Sequence, residues 1–268
     1  MRIADFGRIS GPVALFGGPY SNLQATEAFL AETRGLAAIC TGDVVAYGAD
    51  AAATVALVRE AGLPVVAGNC ERQVARGAED CGCGFETGSA CDLLSRGWYP
   101  AALEACDETA RAWMADLPDM GVFEQDGRRY AVIHGGATEI SRFIWPSSPE
   151  GHFAEEIQAV EAVVGPVDGI VAGHCGIAFQ RRVAGRHWIN AGVIGLPPHD
   201  GRPETRYAVL DAGEVVVQRL SYDHTGALAA MERKGLTQGY ELTLANGIWP
   251  SEDVLPEEIR RQPSAAKG

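Results

Sequence analysis

The sequence predicts an α/β fold from three observations. Short apolar runs recur that end in glycine, most with a polar residue next to it. Helix-length segments separate the first three runs. The second half then changes to strands joined by glycine-bearing turns. In order, Val13-Ala14-Leu15-Phe16-Gly17-Gly18 opens the series, and Asn22 to Thr33 reads as a helix behind it. Leu36 to Asp43 is the second run. The helix expected over Ala49 to Ala61 has Gly62 as its C-cap, and Val65-Val66-Ala67-Gly68-Asn69 follows as the third run. Strand, helix, strand, helix, strand is the pattern of parallel βαβ units. Residues 96 to 118 read as helical, with Trp98 and Trp113 as core anchors. Tyr130-Ala131-Val132-Ile133-His134-Gly135 and Ile170-Val171-Ala172-Gly173-His174 repeat the strand-glycine pattern. Beyond them, Arg186 to Asn190, Arg206 to Leu210 and Glu214 to Leu220 read as antiparallel strands, and Pro256-Glu257-Glu258 as a turn or helix start.

Composition bounds the function. The chain has 268 residues, with 22 Lys+Arg against 35 Asp+Glu, a net charge of −13. Such a field repels phosphate backbones and argues against a nucleic-acid partner; the densest basic stretch, Arg181, Arg182 and Arg186, reads as a solvated hairpin. No apolar run approaches the ~20 residues of a membrane helix, so no membrane partner is expected. The start does not read as an export signal, and the seven cysteines are then expected in a reducing, cytoplasmic setting as free or metal-bound thiols.

Ligands on parallel sheets bind at the carboxyl ends of the strands. Asp43, Asn69, His134 and His174 all stand there and are candidates for one shared rim. Taken singly, Gly-Asp reads as a turn, Gly-Asn as a loop cap and His-Gly as a structural turn. Together, a carboxylate, an amide oxygen and two imidazoles form a donor set that suits Mn, Fe or Zn better than Ca or Mg.

The order of these motifs resembles the calcineurin-like metallophosphoesterase superfamily, most closely its small bacterial phosphodiesterase branch. The matching stretches are Gly42-Asp43, Gly68-Asn69-Cys70-Glu71, His134-Gly135, Gly173-His174 and Asn190-Ala191-Gly192-Val193-Ile194-Gly195. The resemblance covers roughly residues 11 to 222. It implies a four-layer α/β/β/α sandwich of two mixed sheets flanked by helices. Residues 1–222 would form the phosphoesterase-like domain, with a cysteine-containing insert at 70–118, and residues 223–268 an extension packed on the same domain as a dimerisation element or a cover.

The departures carry as much information as the matches. The family opens with Asp-x-His-Gly-Asn-Leu, where this chain has Gly18-Pro19-Tyr20-Ser21-Asn22-Leu23, and the second His of the closing Gly-His-x-His is Gly176. The family holds two metals. Every ligand private to the first is missing, while those of the second survive as Asp43, Asn69, His134 and His174. One retained divalent metal and one lost site are therefore expected, serving a small anionic substrate. Tyr20 would hydrogen-bond the nucleophile or donate a phenolate to the metal, or else be a rim aromatic. Cys70 stands where many relatives keep a His; a soft ligand, a redox-active thiol and plain packing are its three readings. Glu71 is expected to support the ligands, and Asn22 and Arg142 to meet the substrate, although a surface ion pair suits Arg142 equally. Cys81, Cys83 and Cys91 read either as part of a Zn or iron–sulfur site with Cys70, or as a lid loop with Cys83-Gly84-Phe85 facing inward. Trp188 and Trp249 read as core or interface, and His152, His187, His199 and His224 as exposed or capping. A hydrolase of phosphoesters is the leading reading. A metal or ligand binder without turnover and a mononuclear-metal enzyme of different chemistry are the alternatives.

Overall fold

The computed structural model describes residues 1–84 and 86–261. Phe85, read above as part of a lid loop, and residues 262–268 lie outside the described residues. In chain order the strands are β1 (Ile3–Ile9), β2 (Val13–Phe16), β3 (Ala37–Cys40), β4 (Met120–Gln125), β5 (Arg128–Val132), β6 (Gly169–Ala172), β7 (Phe179–Val183), β8 (Arg186–Asn190), β9 (Thr205–Asp211) and β10 (Glu214–Leu220). The helices are α1 (Leu23–Glu32), α2 (Ala51–Glu60), α3 (Asn69–Ala75), α4 (Ala90–Ala105), α5 (Glu108–Asp116), α6 (Glu150–Val164), α7 (His224–Arg233) and α8 (Tyr240–Asn246), with a 3₁₀ turn at Glu257–Ile259. No helix among the described residues is long and apolar enough to cross a membrane.

The strands form two mixed sheets. One is six-stranded in the order β1-β4-β5-β6-β8-β7; the other is four-stranded in the order β10-β9-β2-β3. Alternation along the strands explains the layers. On β2, Val13 and Leu15 face a core shared with Phe123, Tyr130, Val132 and Val171 of the other sheet. Ala14 and Phe16 point the opposite way, toward Phe29 of α1 and Val55 of α2. In the six-stranded sheet, Ala131, Ile170 and Trp188 turn outward onto Phe153, Ile157 and Val160 of α6. The result is the four-layer α/β/β/α sandwich.

Several elements differ from the sequence reading. Val65 makes only a parallel bridge to Cys40, because the chain turns at Gly68 into α3. The helical stretch at 96–118 is two helices, since the Asp107 carboxylate accepts from the Ala110 amide (2.8 Å) and starts α5 afresh. Strand β1 and helix α6 were not foreseen; β1 carries no clean alternation, with burial mixed along its length. His187, expected exposed or capping, is buried and pairs with the Gln180 side chain at 2.8 Å. The Gly62 cap lies at φ +63, as a C-terminal glycine should.

Candidate metal centre

Four loops at the carboxyl ends of neighbouring strands meet at one point. β3 leads into Thr41-Gly42-Asp43, the Val65–Ala67 segment into Gly68-Asn69, β5 into His134 and β6 into His174. Asp43 and His174 sit in the left-handed region, at φ +57 and +62. Non-glycine residues there are uncommon and costly, and such strain clusters at functional sites. Gly68 must be glycine for lack of room: a Cβ there would collide with Asp43 Oδ1.

Glu71 holds these loops together. Its fully buried carboxylate accepts from the amides of Gly68 (2.8 Å), Asp43 (2.7 Å) and Val45 (3.3 Å), locking the Asp43 loop to the start of α3. Burial and the Asp43 charge push its pKa up to about 7, against the pull of the Gly68 amide. The Cys70 amide in turn donates to Asp43 Oδ1 at 3.3 Å.

The donor atoms then converge. His134 Nε2 lies 3.0 Å from Asn69 Oδ1, 3.0 Å from His174 Nδ1 and 3.3 Å from Asp43 Oδ2. The partners fix what each atom is. His134 Nδ1 is 2.7 Å from the Thr41 carbonyl, which only accepts, so that nitrogen carries the ring's proton and Nε2 presents a lone pair when the ring is neutral. Asn69 Nδ2 donates to the Cys81 carbonyl (2.9 Å), so Oδ1 faces inward. Burial, followed by repulsion from His134, pushes His174 down to about 3, leaving it neutral. Burial alone would raise the Asp43 carboxyl, but His134 outweighs it and holds the group ionised, below the usual carboxylate value.

Burial would lower the His134 ring, but Asp43 outweighs it and raises its pKa, so in the metal-free cluster a proton on Nε2 bridges the acceptors 3.0–3.3 Å away. With that proton gone, lone pairs point at one another and repel unless a cation takes its place. Donors about 2.1 Å from a common ion and at right angles around it would stand about 3.0 Å apart, so the spacing fits a transition metal. Asp43, His134 and His174 form the one carboxylate–imidazole group of this kind among the described residues, with ligand atoms within 4.8 Å of one another.

The other positions singled out in the sequence fall in different places. Tyr20 is buried beside the centre at φ +52, its hydroxyl pushed well above the usual phenol value by burial and then by Asp43. Its ring lies over Gly18: a Cβ on Gly18 would stand 2.6 Å from Tyr20 Cζ and 2.6 Å from Val193 Cγ1. A Cβ on Gly176 would stand 3.2 Å from the indole of Trp249. Both glycines that depart from the family pattern are therefore covered by aromatic rings. Cys70 is fully buried, its thiol held protonated by burial and by the Asp43 and Glu71 charges. Asn22 caps α1 through the Ala25 amide (3.0 Å) and donates to the Gly195 carbonyl (3.0 Å). Arg142 is paired with Glu155 (2.7 Å) and the buried Glu156 (2.6 Å), away from the cavity described next.

Cys83 lines the cavity described next, in keeping with the lid-loop reading of the insert, but the thiol state differs from the expectation. Cys81 and Cys83, expected as free or metal-bound thiols, are joined by a disulfide, while Cys40, Cys70, Cys91, Cys106 and Cys175 are free and buried. Gly82 at φ +61 makes the tight turn between the paired residues. No cysteine joins a metal-competent group among the described residues.

A cavity of about 40 Å³ opens on the centre. Asp43, His174 and Tyr20 line its floor; Tyr47, Tyr240, Trp249, Cys83 and Val254 are among its walls. Tyr47 and Tyr240 were not singled out in the sequence, and Trp249 was read as core or interface. Tyr47 follows Asp43 by four residues and was within reach on that ground, whereas only the fold brings Tyr240 there. Thr41, which sets the His134 tautomer, was within reach as the residue just before Gly42-Asp43.

A βαβ-derived double sheet with an Asp–Asn–His–His cluster at its strand ends defines a metal-dependent phosphoesterase fold. Residues 19–214 match the calcineurin-like phosphoesterase superfamily domain, and the chain belongs to that family of phosphoric ester hydrolases. No curated protein matches the sequence significantly. Among solved structures, a metallophosphoesterase from Sphaerobacter thermophilus is similar at 22% identity and a TM-score of 0.68, over 89% of this chain and 100% of that one. A hypothetical protein from Pyrococcus horikoshii OT3 is similar at 15% identity and a TM-score of 0.74, over 89% and 99%. At these identities the likeness is one of fold.

Proposed function

We propose that the protein hydrolyses a small anionic phosphoester at a single divalent metal held by Asp43, Asn69, His134 and His174. The observation that carries this reading is the convergence of a carboxylate, an amide oxygen and two imidazole nitrogens on one point. When bound, a Mn, Fe or Zn ion would supply Lewis-acid polarisation of a phosphoryl oxygen and acidify a water.

The chain's own residues do the rest. Glu71 fixes the Asp43 loop against α3, so the carboxylate and the Asn69 amide are presented together. The Thr41 carbonyl holds His134 in the tautomer whose Nε2 is free. Tyr20, protonated at any working pH, offers an O–H donor at the cavity floor for a phosphoryl or leaving-group oxygen. Cys70, held as a neutral thiol, packs and does not act as nucleophile or proton carrier.

The single-metal reading is supported by what fills the other position. The Tyr20 ring over Gly18 and the Trp249 indole over Gly176 take the space that the missing ligands would need. The same two rings favour a second reading, a metal or ligand binder without turnover. Activity and metal content separate the readings. Protein loaded with Mn(II), Fe(II) or Zn(II) is expected to bind one equivalent per chain by elemental analysis and to cleave members of an aryl phosphomonoester and phosphodiester panel. Asp43→Ala should lose both properties. Absence of turnover in every loaded form leaves only the binder, and two equivalents per chain defeat the single site.

A further inference from the structure

The cavity above the metal centre has walls that the matched family domain does not supply. Tyr240, Trp249, Pro250, Ser251 and Val254 belong to the chain beyond residue 214. These walls are apolar in what they present. The Trp249 indole N–H is committed to the Pro197 carbonyl (2.7 Å) and its amide to His199 Nδ1 (2.9 Å), so its carbon faces remain for the cavity. The Tyr47 and Tyr240 rings meet at a tilt, with centroids 4.2 Å apart, and Tyr20 meets Tyr47 edge-on at 4.8 Å. No Lys or Arg lines the cavity among the described residues.

Charge counting narrows the ligand further. Apart from a bound metal, no cation among the described residues faces an anion here, so further anionic charge would lie unpaired against aromatic walls. A phosphate dianion brings one such charge more than a monoanion does. Burying unpaired charge in apolar surroundings is strongly unfavourable, whereas an apolar group gains by leaving water.

We propose that the segment from Tyr240 to Val254 builds an apolar subsite over the metal centre, and that the protein's ligands are small monoanionic phosphoryl compounds carrying an uncharged aromatic or aliphatic group seated there. This rests on the phosphoesterase reading for its phosphoryl group but makes a separate claim about its substituent. At about 40 Å³ the enclosed space holds a few waters, so the substituent enters by displacing them as the Pro250–Val254 wall yields.

Phosphinates test the subsite without turnover, because they are monoanionic and have no ester to cleave. With the Mn(II)-loaded protein, methyl(phenyl)phosphinate is expected to bind at least tenfold more tightly than dimethylphosphinate or inorganic phosphate, read by quenching of tryptophan fluorescence and by calorimetry. Trp249→Ala should shrink the phenyl preference below threefold while metal content and dimethylphosphinate affinity hold. Ser251→Lys, on the half-buried rim, should tighten inorganic phosphate at least fivefold and serves if the tryptophan variant does not fold. Equal affinities for the two phosphinates, phosphate as the tightest wild-type ligand, or a phenyl preference untouched by Trp249→Ala would each overturn the subsite. Aryl ester turnover is scored separately. Sorted phosphinates without any ester cleavage sink the hydrolase and keep the subsite, whereas cleavage with unsorted phosphinates does the reverse.

Discussion

Gly18→Ala tests whether the Tyr20 ring occupies the place of the missing ligand. Gly18 has φ +44, and its added methyl would meet both Tyr20 Cζ and Val193 Cγ1 at 2.6 Å. Two terms add. Holding an L-residue in the left-handed region costs roughly 1–2 kcal/mol. Overpacking against a ring and a branched side chain, both buried, costs roughly 1–3 kcal/mol. Gly18→Ala should therefore lower the unfolding free energy by about 2–5 kcal/mol, measured by urea denaturation of the metal-free protein. Gly62→Ala is the control: it has φ +63 and nothing within 4 Å of the added methyl, so it should show only the backbone term, about 1–2 kcal/mol. In a Tyr20→Ala background the ring contact is gone while the Val193 contact stays. The cost of Gly18→Ala should then fall by at least about 1 kcal/mol, a coupling that neighbours in contact show. A cost equal to that of Gly62→Ala, or strict additivity with Tyr20→Ala, would refute the claim that this ring fills the vacated space.

Other outcomes follow from the same geometry. Asn69→Ala should weaken Mn(II) binding by at least about tenfold in a competition titration, since it removes an inward-facing oxygen that the Cys81 carbonyl holds in place. Arg142→Ala should cost roughly 2–4 kcal/mol of stability by stripping a cation from the buried Glu156, yet leave kcat/KM within about threefold; a larger loss would restore Arg142 as a substrate contact. His174 titrates at about 3 in the fold against about 6.5 unfolded, so its contribution is whole above pH 6.5 and drains as pH falls toward 3. Metal-free wild type should accordingly lose roughly 2–3 kcal/mol more than His174→Asn between pH 7 and pH 4.5 in urea titrations, and equal losses would contradict the buried neutral ring.

How much could be read beforehand depended on whether a residue's role was local. The metal-centre candidates stand at strand ends, and apolar runs ending in Gly-polar pairs are local patterns, so Asp43, Asn69, His134 and His174 were legible before any contact was known. Helices α1 and α2 were legible for the same reason, with Asn22 and Gly62 marking their ends. Strand β1 was not: it pairs in parallel with β4, more than a hundred residues away, and that pairing leaves no periodic mark in so mixed a segment. The roof of the cavity was equally hidden. Tyr47 lies far in the chain from Tyr240 and Trp249, and an aromatic looks the same in sequence whether it fills a core or walls a site. Arg142 shows where local reading stops: proximity to the His134 loop left a substrate contact and an ion pair equally open, and the partners, Glu155 and Glu156, come from a separate element, α6.

The departures from the family pattern make sense together as an exchange of volume. Losing a ligand at position 18 or 176 would by itself open a polar-rimmed void beside a charged cluster, and such a void is costly in a packed interior. Here each of these two glycines lies under an aromatic ring: Gly18 under Tyr20 from its own loop, and Gly176 under Trp249 from the C-terminal segment. The second ring ties the extension to the centre. Trp249 is pinned by Pro197 and His199, and His199 in turn pairs with Glu252 at 3.1 Å, so the strip that covers Gly176 is anchored on both sides of the indole. Removing the extension should therefore uncover Gly176 and let water reach a centre that the folded chain keeps behind aromatic walls. Solvent access to a paramagnetic Mn(II) would register this directly as a rise in water-proton relaxation in Trp249→Ala over wild type. An unchanged relaxivity at equal metal content would mean that the indole does not seal the site.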